Sequence, residues 1–199
     1  MEAILTARLP VQTVAVISNE AEAKGLAIAQ SHGVPTTVVP HRAFAERAAF
    51  DAALAAEINR YQPDLIVLAG FMRVLTEGFV TRYQGRMINI HPSLLPSFPG
   101  LYTHQRALDA GVRVHGCSVH FVTPGLDSGP IIIQAAVPVQ AGDDADTLSA
   151  RVLVEEHRIY PQALRWLCEG RAQLSASSTV SYTGITPASG TLIAPALDP

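Results

Sequence analysis

Short apolar runs of strand length recur along this chain with helix-length stretches between them, and that rhythm limits its folds more than any other feature. The runs are Thr13 to Ile17 (TVAVI), Pro35 to Val39 (PTTVV), Asp64 to Ala69 (DLIVLA) and Met87 to Ile90 (MINI). After the first run, Asn19 is placed to cap a helix over roughly 20–31 that Gly33 closes. After the second, Phe44, Phe50, Leu54 and Ile58 recur at near-helical spacing over roughly 43–60. Residues 2–8 read as a short helical end, stopped near Pro10, and Gly78 to Tyr83 belongs to a short helix. Strands alternating with helices in this way predict a parallel sheet. The third run is apolar throughout, as a strand covered on both faces requires.

The pattern changes after Pro92. A loop rich in Pro and Gly (92–102) leads to a short helix near 104–110, where Thr103 reads as the cap. Two longer strands follow, about 113–122 and 130–139. The turn Pro124-Gly125-Leu126-Asp127-Ser128-Gly129 between them predicts an antiparallel pair at the sheet edge. A final helix runs from about Asp146 to Gly170. Beyond Ser175 the chain is Ser, Thr, Pro and Gly without amphipathic period, which reads as a flexible or extended tail that could be removed without harm to the core. The expectation is an α/β chain: a mostly parallel, doubly wound sheet with an antiparallel edge pair and a C-terminal helix. One domain covers 1–175 and the tail covers 176–199.

Composition narrows the function. Of 199 residues, 48% are hydrophobic, and 14 basic against 17 acidic side chains leave a net charge of -3 with no Lys/Arg run. That balance speaks against a nucleic-acid protein built on a basic surface. No apolar stretch reaches the roughly 18 residues that a membrane span needs, and Met1-Glu2-Ala3-Ile4-Leu5 lacks a signal-peptide layout. Cys117 and Cys168 are too few for a disulfide framework and lack metal-ligand spacing. Cys117, inside an apolar strand pattern, reads as a buried small hydrophobe. A soluble chain of the cytoplasm, without membrane or nucleic-acid partner, is expected.

The chemistry concentrates at two places. In Met87-Ile88-Asn89-Ile90-His91-Pro92, strand alternation sends Asn89 and His91 off one face, and Pro92 ends the ladder. An amide and an imidazole then stand together at the carboxyl end of a parallel strand, beyond which ligands of open α/β sheets bind. The second place is Asp127, held in a Pro/Gly turn. If its carboxylate faces His91, the negative charge favours imidazolium. A protonated His beside an Asn donor suits stabilisation of an oxyanion in acyl transfer. Glu156 is a third candidate. At about 100° per residue, Leu148, Val152, Ile159, Ala163 and Leu167 form one apolar stripe, and Glu156 falls inside it. His120 reads as a core histidine with its ring satisfied.

Asn89-Ile90-His91-Pro92-Ser93-Leu94-Leu95-Pro96, His120 and Leu126-Asp127-Ser128-Gly129-Pro130 together resemble the formyltransferases that use 10-formyltetrahydrofolate. Within that group, Phe98-Pro99-Gly100-Leu101-Tyr102-Thr103-His104 and Glu155-Glu156-His157-Arg158-Ile159-Tyr160-Pro161 resemble the phosphoribosylglycinamide formyltransferases, from about residue 2 to residue 174. The resemblance implies a formyltransferase-like sheet and transfer of a formyl group from 10-formyltetrahydrofolate, as cosubstrate, to the amine of glycinamide ribonucleotide in purine synthesis, without a metal. It implies that His91 is the general acid, that Asn89 donates to the formyl oxygen, and that Asp127 raises the His91 pKa and helps a water carry the proton. It assigns folate contacts to Arg47, Met72, Arg73, Val74, Leu75, Asn89, Thr123, Pro124, Gly125, Leu126 and Asp127, and a ribonucleotide contact to Glu156. A homodimer stays open.

The chain also departs from the family. The opening strand and the Gly-x-Gly-Ser-Asn loop that binds the substrate phosphate have no counterpart, since Met1-Glu2-Ala3-Ile4-Leu5 resembles the interior of the first helix. A missing internal strand would leave unpaired ladder groups on its neighbours, at about 1–3 kcal/mol for each buried one. Two other functions therefore stay open: hydrolysis of 10-formyltetrahydrofolate, and folate binding without turnover.

Overall fold

The computed structural model describes residues 1–186 and 190. The elements follow in the order α1 (Glu2–Thr6), β1 (Val16–Ser18), α2 (Lys24–Ser31), β2 (Thr36–Val38), a 3₁₀ turn (His41–Ala43), α3 (Arg47–Tyr61), β3 (Ile66–Leu68) and α4 (Glu77–Arg82). Then come β4 (Met87–His91), α5 (Thr103–Asp109), β5 (Val114–Phe121), β6 (Ile131–Pro138), α6 (Ala145–Cys168), β7 (Ala172–Leu174) and β8 (Val180–Tyr182). Strands β1 and β2 pair in parallel, as do β3 and β4. Strand β5 runs antiparallel to β4, and β6 antiparallel to β5. No helix is long and apolar enough to cross a membrane among the described residues.

Alternation along β4 shows how the layers form. Met87 packs into one core with Phe50, Leu54 and Ile58 of α3. Ile88, one residue on, packs into the other with Leu148, Val152 and Ile159 of α6. Successive side chains of a strand leave opposite faces, so each face takes its own helix. Helix α6 starts on a capping box in which Asp144 accepts from the Thr147 amide while the Thr147 hydroxyl accepts from the Asp144 amide. Its apolar stripe lies on β5 and β6. Cys117 is fully buried, and burial pushes its thiol up to about 12, so it acts as a small hydrophobe.

Several boundaries differ from the expectation. Asn19 does not cap α2, which begins at Lys24. Ser18 and Glu20 close a small turn on each other, and the Asn19 amide instead meets His41. The helix expected over 43–60 is a 3₁₀ turn followed by α3. Phe44 lies outside both but packs its ring edge-on to Phe50 at 6.0 Å, so its spacing reflected packing and not a helix. Thr103 is buried and makes no side-chain cap of α5; the residue before it, Tyr102, ends the loop at φ 56°.

The sheet is interrupted. Among the described residues no hydrogen bond joins β1–β2 to β3–β6. Val16 N–H donates to Pro35 and the Ser18 carbonyl accepts from Val39, so the Ile17 peptide group points away from β2. By the same alternation Val67 points away from β4. Ile17, Ile66 and Leu68 nevertheless pack against the same α3 core. The two edges lie where the resemblance leaves a strand without counterpart.

Residues 176–186 also depart from the expected loose tail. Strand β8 pairs antiparallel with β7, the Tyr182 hydroxyl donates to the Ile132 carbonyl at 2.7 Å, and its ring meets Trp166 edge-on. This hairpin is short and rich in Ser and Thr, so the sequence carries no amphipathic pattern for it. The rest of the expected tail, 187–189 and 191–199, lies outside the described residues. Truncation after Ser175 removes the β7–β8 ladder, whose exposed bonds exchange with water, together with the Tyr182 hydroxyl bond of about 1 kcal/mol and an aromatic pair of about 1 kcal/mol. The thermal midpoint is expected to fall by roughly 4–8 °C for a chain of this size. A scanning-calorimetry midpoint unchanged to within about 2 °C would show that the hairpin adds nothing.

Candidate active site

His91 ends β4 almost fully buried. The chain then folds back so that the Phe98 carbonyl meets His91 Nε2 at 3.0 Å. A carbonyl only accepts, so Nε2 carries the proton and Nδ1 is the nitrogen free to exchange one. Nδ1 faces Asp127 Oδ2 at 3.3 Å. Asp127 sits in the β5–β6 connection at φ 46°, a left-handed conformation that costs a non-glycine residue about 1–2 kcal/mol. The Gly100 amide holds it there by donating to Oδ2 at 2.8 Å. The neighbouring Gly129 is required by contact: a Cβ there would lie 1.8 Å from the Phe121 carbonyl oxygen.

Asn89 pairs with Leu68 on one side and His120 on the other, and His91 pairs with Ser118. The Asn89 side-chain amide makes no hydrogen bond among the described residues and stays available to a ligand. His120 is a core histidine, as expected, but only one of its nitrogens is satisfied. Its Nδ1 donates to the Phe121 carbonyl at 2.9 Å, while the buried Nε2 has no hydrogen-bond partner among the described residues and faces Asp127 Oδ1 at 3.9 Å. Burial lowers the His120 pKa, with the Phe121 hydrogen bond and Asp127 pulling the other way. The neutral ring therefore presents a lone pair to a carboxylate oxygen. Two acceptors at that distance can share one donor, a water O–H or an amine N–H. No sequence signal separates this arrangement from an ordinary core histidine, because it needs the facing strand.

Two more imidazoles lie behind His91. The rings of His104 and His115 meet edge-on at 5.2 Å, and neither nitrogen of the fully buried His115 has a hydrogen-bond partner among the described residues. Burial pushes the His115 pKa down to about 4. The charges of His104 and His91 act the same way, and the Pro92 carbonyl, which approaches without hydrogen-bond geometry, pulls weakly back.

The other expected contacts form two groups. Leu75 packs on the α3 core and the Arg73 guanidinium lies over the Phe50 ring at 5.2 Å, while Met72, Val74 and Leu126 leave large apolar side chains exposed. Thr123 bonds Ser128 across the turn that holds Pro124 and Gly125. Arg47 begins α3, exposed and without a charged partner among the described residues. Glu156 belongs elsewhere. It lines a cavity of about 260 Å³ with Met1, Ile4, Gly70 and Tyr160, beyond the carboxyl end of β3. Burial raises its pKa, and the Met1 ammonium opposes that shift.

The formyl transferase family model matches residues 1–164. The chain belongs to the formyl transferase family. It is 52% identical over 160 residues to the phosphoribosylglycinamide formyltransferase of Escherichia coli, covering 80% of this chain and 76% of that one. It is 47% identical over 169 residues to the trifunctional purine biosynthetic protein adenosine-3 of Bos taurus, covering 85% of this chain but 17% of that protein. The crystal structure of glycinamide ribonucleotide transformylase 1 from Symbiobacterium toebii superposes with a TM-score of 0.87 at 48% identity. That match covers 91% of this chain and 87% of that one.

The buried imidazoles make this family member's stability depend on pH. Between pH 6.5 and about 4 the unfolded chain binds a proton at His115 that the folded chain does not. Stability is therefore retained above pH 6.5 and lost as pH falls toward 4, by up to about 3 kcal/mol at 1.36 kcal/mol per pH unit. Urea midpoints should fall across that window, and the fall should be smaller in His115→Leu. An equal fall in the variant would assign the loss to other groups.

Proposed function

We propose that this chain transfers the formyl group of 10-formyltetrahydrofolate to the primary amine of glycinamide ribonucleotide, a step of purine biosynthesis. One observation carries the reading. His91 has Nε2 anchored on a backbone carbonyl and Nδ1 on Asp127, beside the unpaired amide of Asn89. The relatives named for this reaction supply the substrates.

The amine nitrogen attacks the formyl carbon, and a C–N bond forms as the carbonyl electrons move onto oxygen. Asn89 donates to that oxyanion, and His91 Nδ1, when it carries a proton, shares it between Asp127 and the oxyanion. Asp127, with His120 beside it, accepts the proton that the attacking nitrogen sheds, directly or through one water, and returns it to N10 as the bond from the formyl carbon to N10 breaks. The products are the formamide and tetrahydrofolate, and the protons balance. The exposed apolar residues Met72, Val74 and Leu126 flank the folate side, with Arg47, Arg73 and Leu75 and the turn Thr123 to Asp127. Glu156 faces the ribonucleotide from the cavity beyond β3.

The test is acceptor-dependent formyl transfer. His91→Ala and Asp127→Ala are each expected to lower kcat by roughly 10²–10³-fold, the usual cost of losing such a group, with folate-analogue binding little changed. A near-normal kcat in either variant removes the mechanism. Formate release without an acceptor would identify a hydrolase, and folate binding without turnover would identify a binding protein.

Glu156→Gln separates the two ligands. It should raise KM for the ribonucleotide about tenfold or more, the loss of one charge-assisted hydrogen bond of about 1.5–3 kcal/mol. Calorimetry of a folate analogue should not change. Equal losses for both ligands would place Glu156 in a structural role.

A further inference from the structure

Both partners of the catalytic pair hang on one short stretch of backbone. The Phe98 carbonyl fixes His91 Nε2, and two residues later the Gly100 amide fixes Asp127 Oδ2. That stretch does not hold its shape by local preference, because Phe98, Gly100 and Tyr102 all lie in the left-handed region, at φ 54°, 79° and 56°. Among the described residues, apart from the bonds to the pair itself, one side chain hydrogen-bonds this stretch from outside. Arg106 reaches back from α5 and gives Nη1–H to the Pro99 and Leu101 carbonyls, at 2.5 and 3.3 Å, and its guanidinium covers the Phe98 ring at 5.7 Å. His115 meets the same ring edge-on at 6.0 Å.

We propose that Arg106 is a positioning residue that clamps residues 98–101 and through them sets the separation and orientation of His91 and Asp127. The clamp uses what a guanidinium has and an ammonium lacks, a flat face to lie on a ring together with in-plane donors for carbonyls. It touches neither His91 nor Asp127 and lies outside the folate and ribonucleotide contacts described above. Its loss therefore leaves ground-state binding in place and degrades the geometry that counts in the transition state, where displacement of about 1 Å costs on the order of 10²-fold. The titratable groups that face His91 are Asp127 from the β5–β6 turn, His115 and His120 from β5, and His104 from α5, and the substitution removes none of them.

The inference rests on the formyl-transfer reading, and the test keeps the two apart. The full chain and its Arg106→Ala and Arg106→Lys variants are compared by formyl-transfer kinetics, by thermal midpoint and by ¹⁵N–¹H NMR of the imidazoles. The wild-type His91 ring should appear as the Nε2–H tautomer. In Arg106→Ala, kcat should fall about 10–100-fold with both KM values within about threefold, and the His91 signals should broaden or show mixed tautomers. Added ethylguanidine should restore part of the rate, and Arg106→Lys should recover less than half of the loss on a logarithmic scale. A kcat within twofold of wild type in Arg106→Ala overturns the proposal, as does a rate loss with unchanged His91 signals. Full recovery by Lys also overturns it, because charge alone would then suffice. If Arg106→Ala does not fold, Arg106→Lys carries the same NMR and kcat comparison. If the wild type transfers no formyl group, the functional reading fails while the tautomer comparison still decides whether the clamp exists.

Discussion

The hydrogen bond from His91 Nε2 to the Phe98 carbonyl governs much of what surrounds it. It makes one nitrogen a permanent donor, leaves Nδ1 as the nitrogen that exchanges protons, and turns that nitrogen toward Asp127. It also requires the chain after β4 to reverse within a few residues. The Ser93, Ser118 and Gln134 side chains serve that reversal: Ser93 Oγ donates to the Ser97 carbonyl, the buried Ser118 Oγ donates to the Ser93 carbonyl and accepts from the Leu95 amide, and Gln134 donates to the Leu95 carbonyl. Strand β5 thus supports the loop that orients the residue ending β4. The antiparallel part of the sheet acts on the chemistry through these bonds.

The electrostatics follow from the same burial. Inside the fold, His104, His115 and His120 all have lowered pKa values, with desolvation the largest cause in each. Neutral rings around a charge-bearing pair add no competing cation to the site. The low local dielectric that keeps them neutral strengthens the donors aimed at a developing oxyanion. The same surroundings carry a stability cost in unpartnered nitrogens, a common trade at functional sites.

Two ligand regions meet at the carboxyl ends of β3 and β4. The loop after β3 and the turn after β5 present apolar side chains on one side, and Glu156 of α6 presents a half-buried carboxylate in a cavity on the other. The gap between β1 and β3 opens on the side of the sheet away from β5 and β6. The pair His91–Asp127 is built entirely from β4, the loop that follows it and the β5–β6 connection. It does not depend on the interrupted half of the sheet for any hydrogen bond described above.

The sequence by itself determined the α/β class, the parallel strands, the antiparallel edge pair and the final helix, because side-chain periodicity records which face of an element is covered. It also placed Asn89 and His91 on one face at a strand end, which needs only the alternation of a strand and the stop at Pro92. The Pro/Gly turn drew out Asp127 as a candidate, and family resemblance supplied its role. Tertiary structure alone decided which nitrogen of His91 is free, that His120 faces the Asp127 carboxylate, and that Arg106 grips the loop holding both partners. These depend on contacts between residues 5 to 36 positions apart whose separation follows no period. The same reason explains the misreadings. Asn19 satisfied the pattern of a cap but found His41 across the sheet edge, and residues 176–186 lacked a pattern yet folded onto β7 and the Ile132 carbonyl. Local pattern reports what an element prefers, while a hydrogen bond across the fold decides which preference is realised.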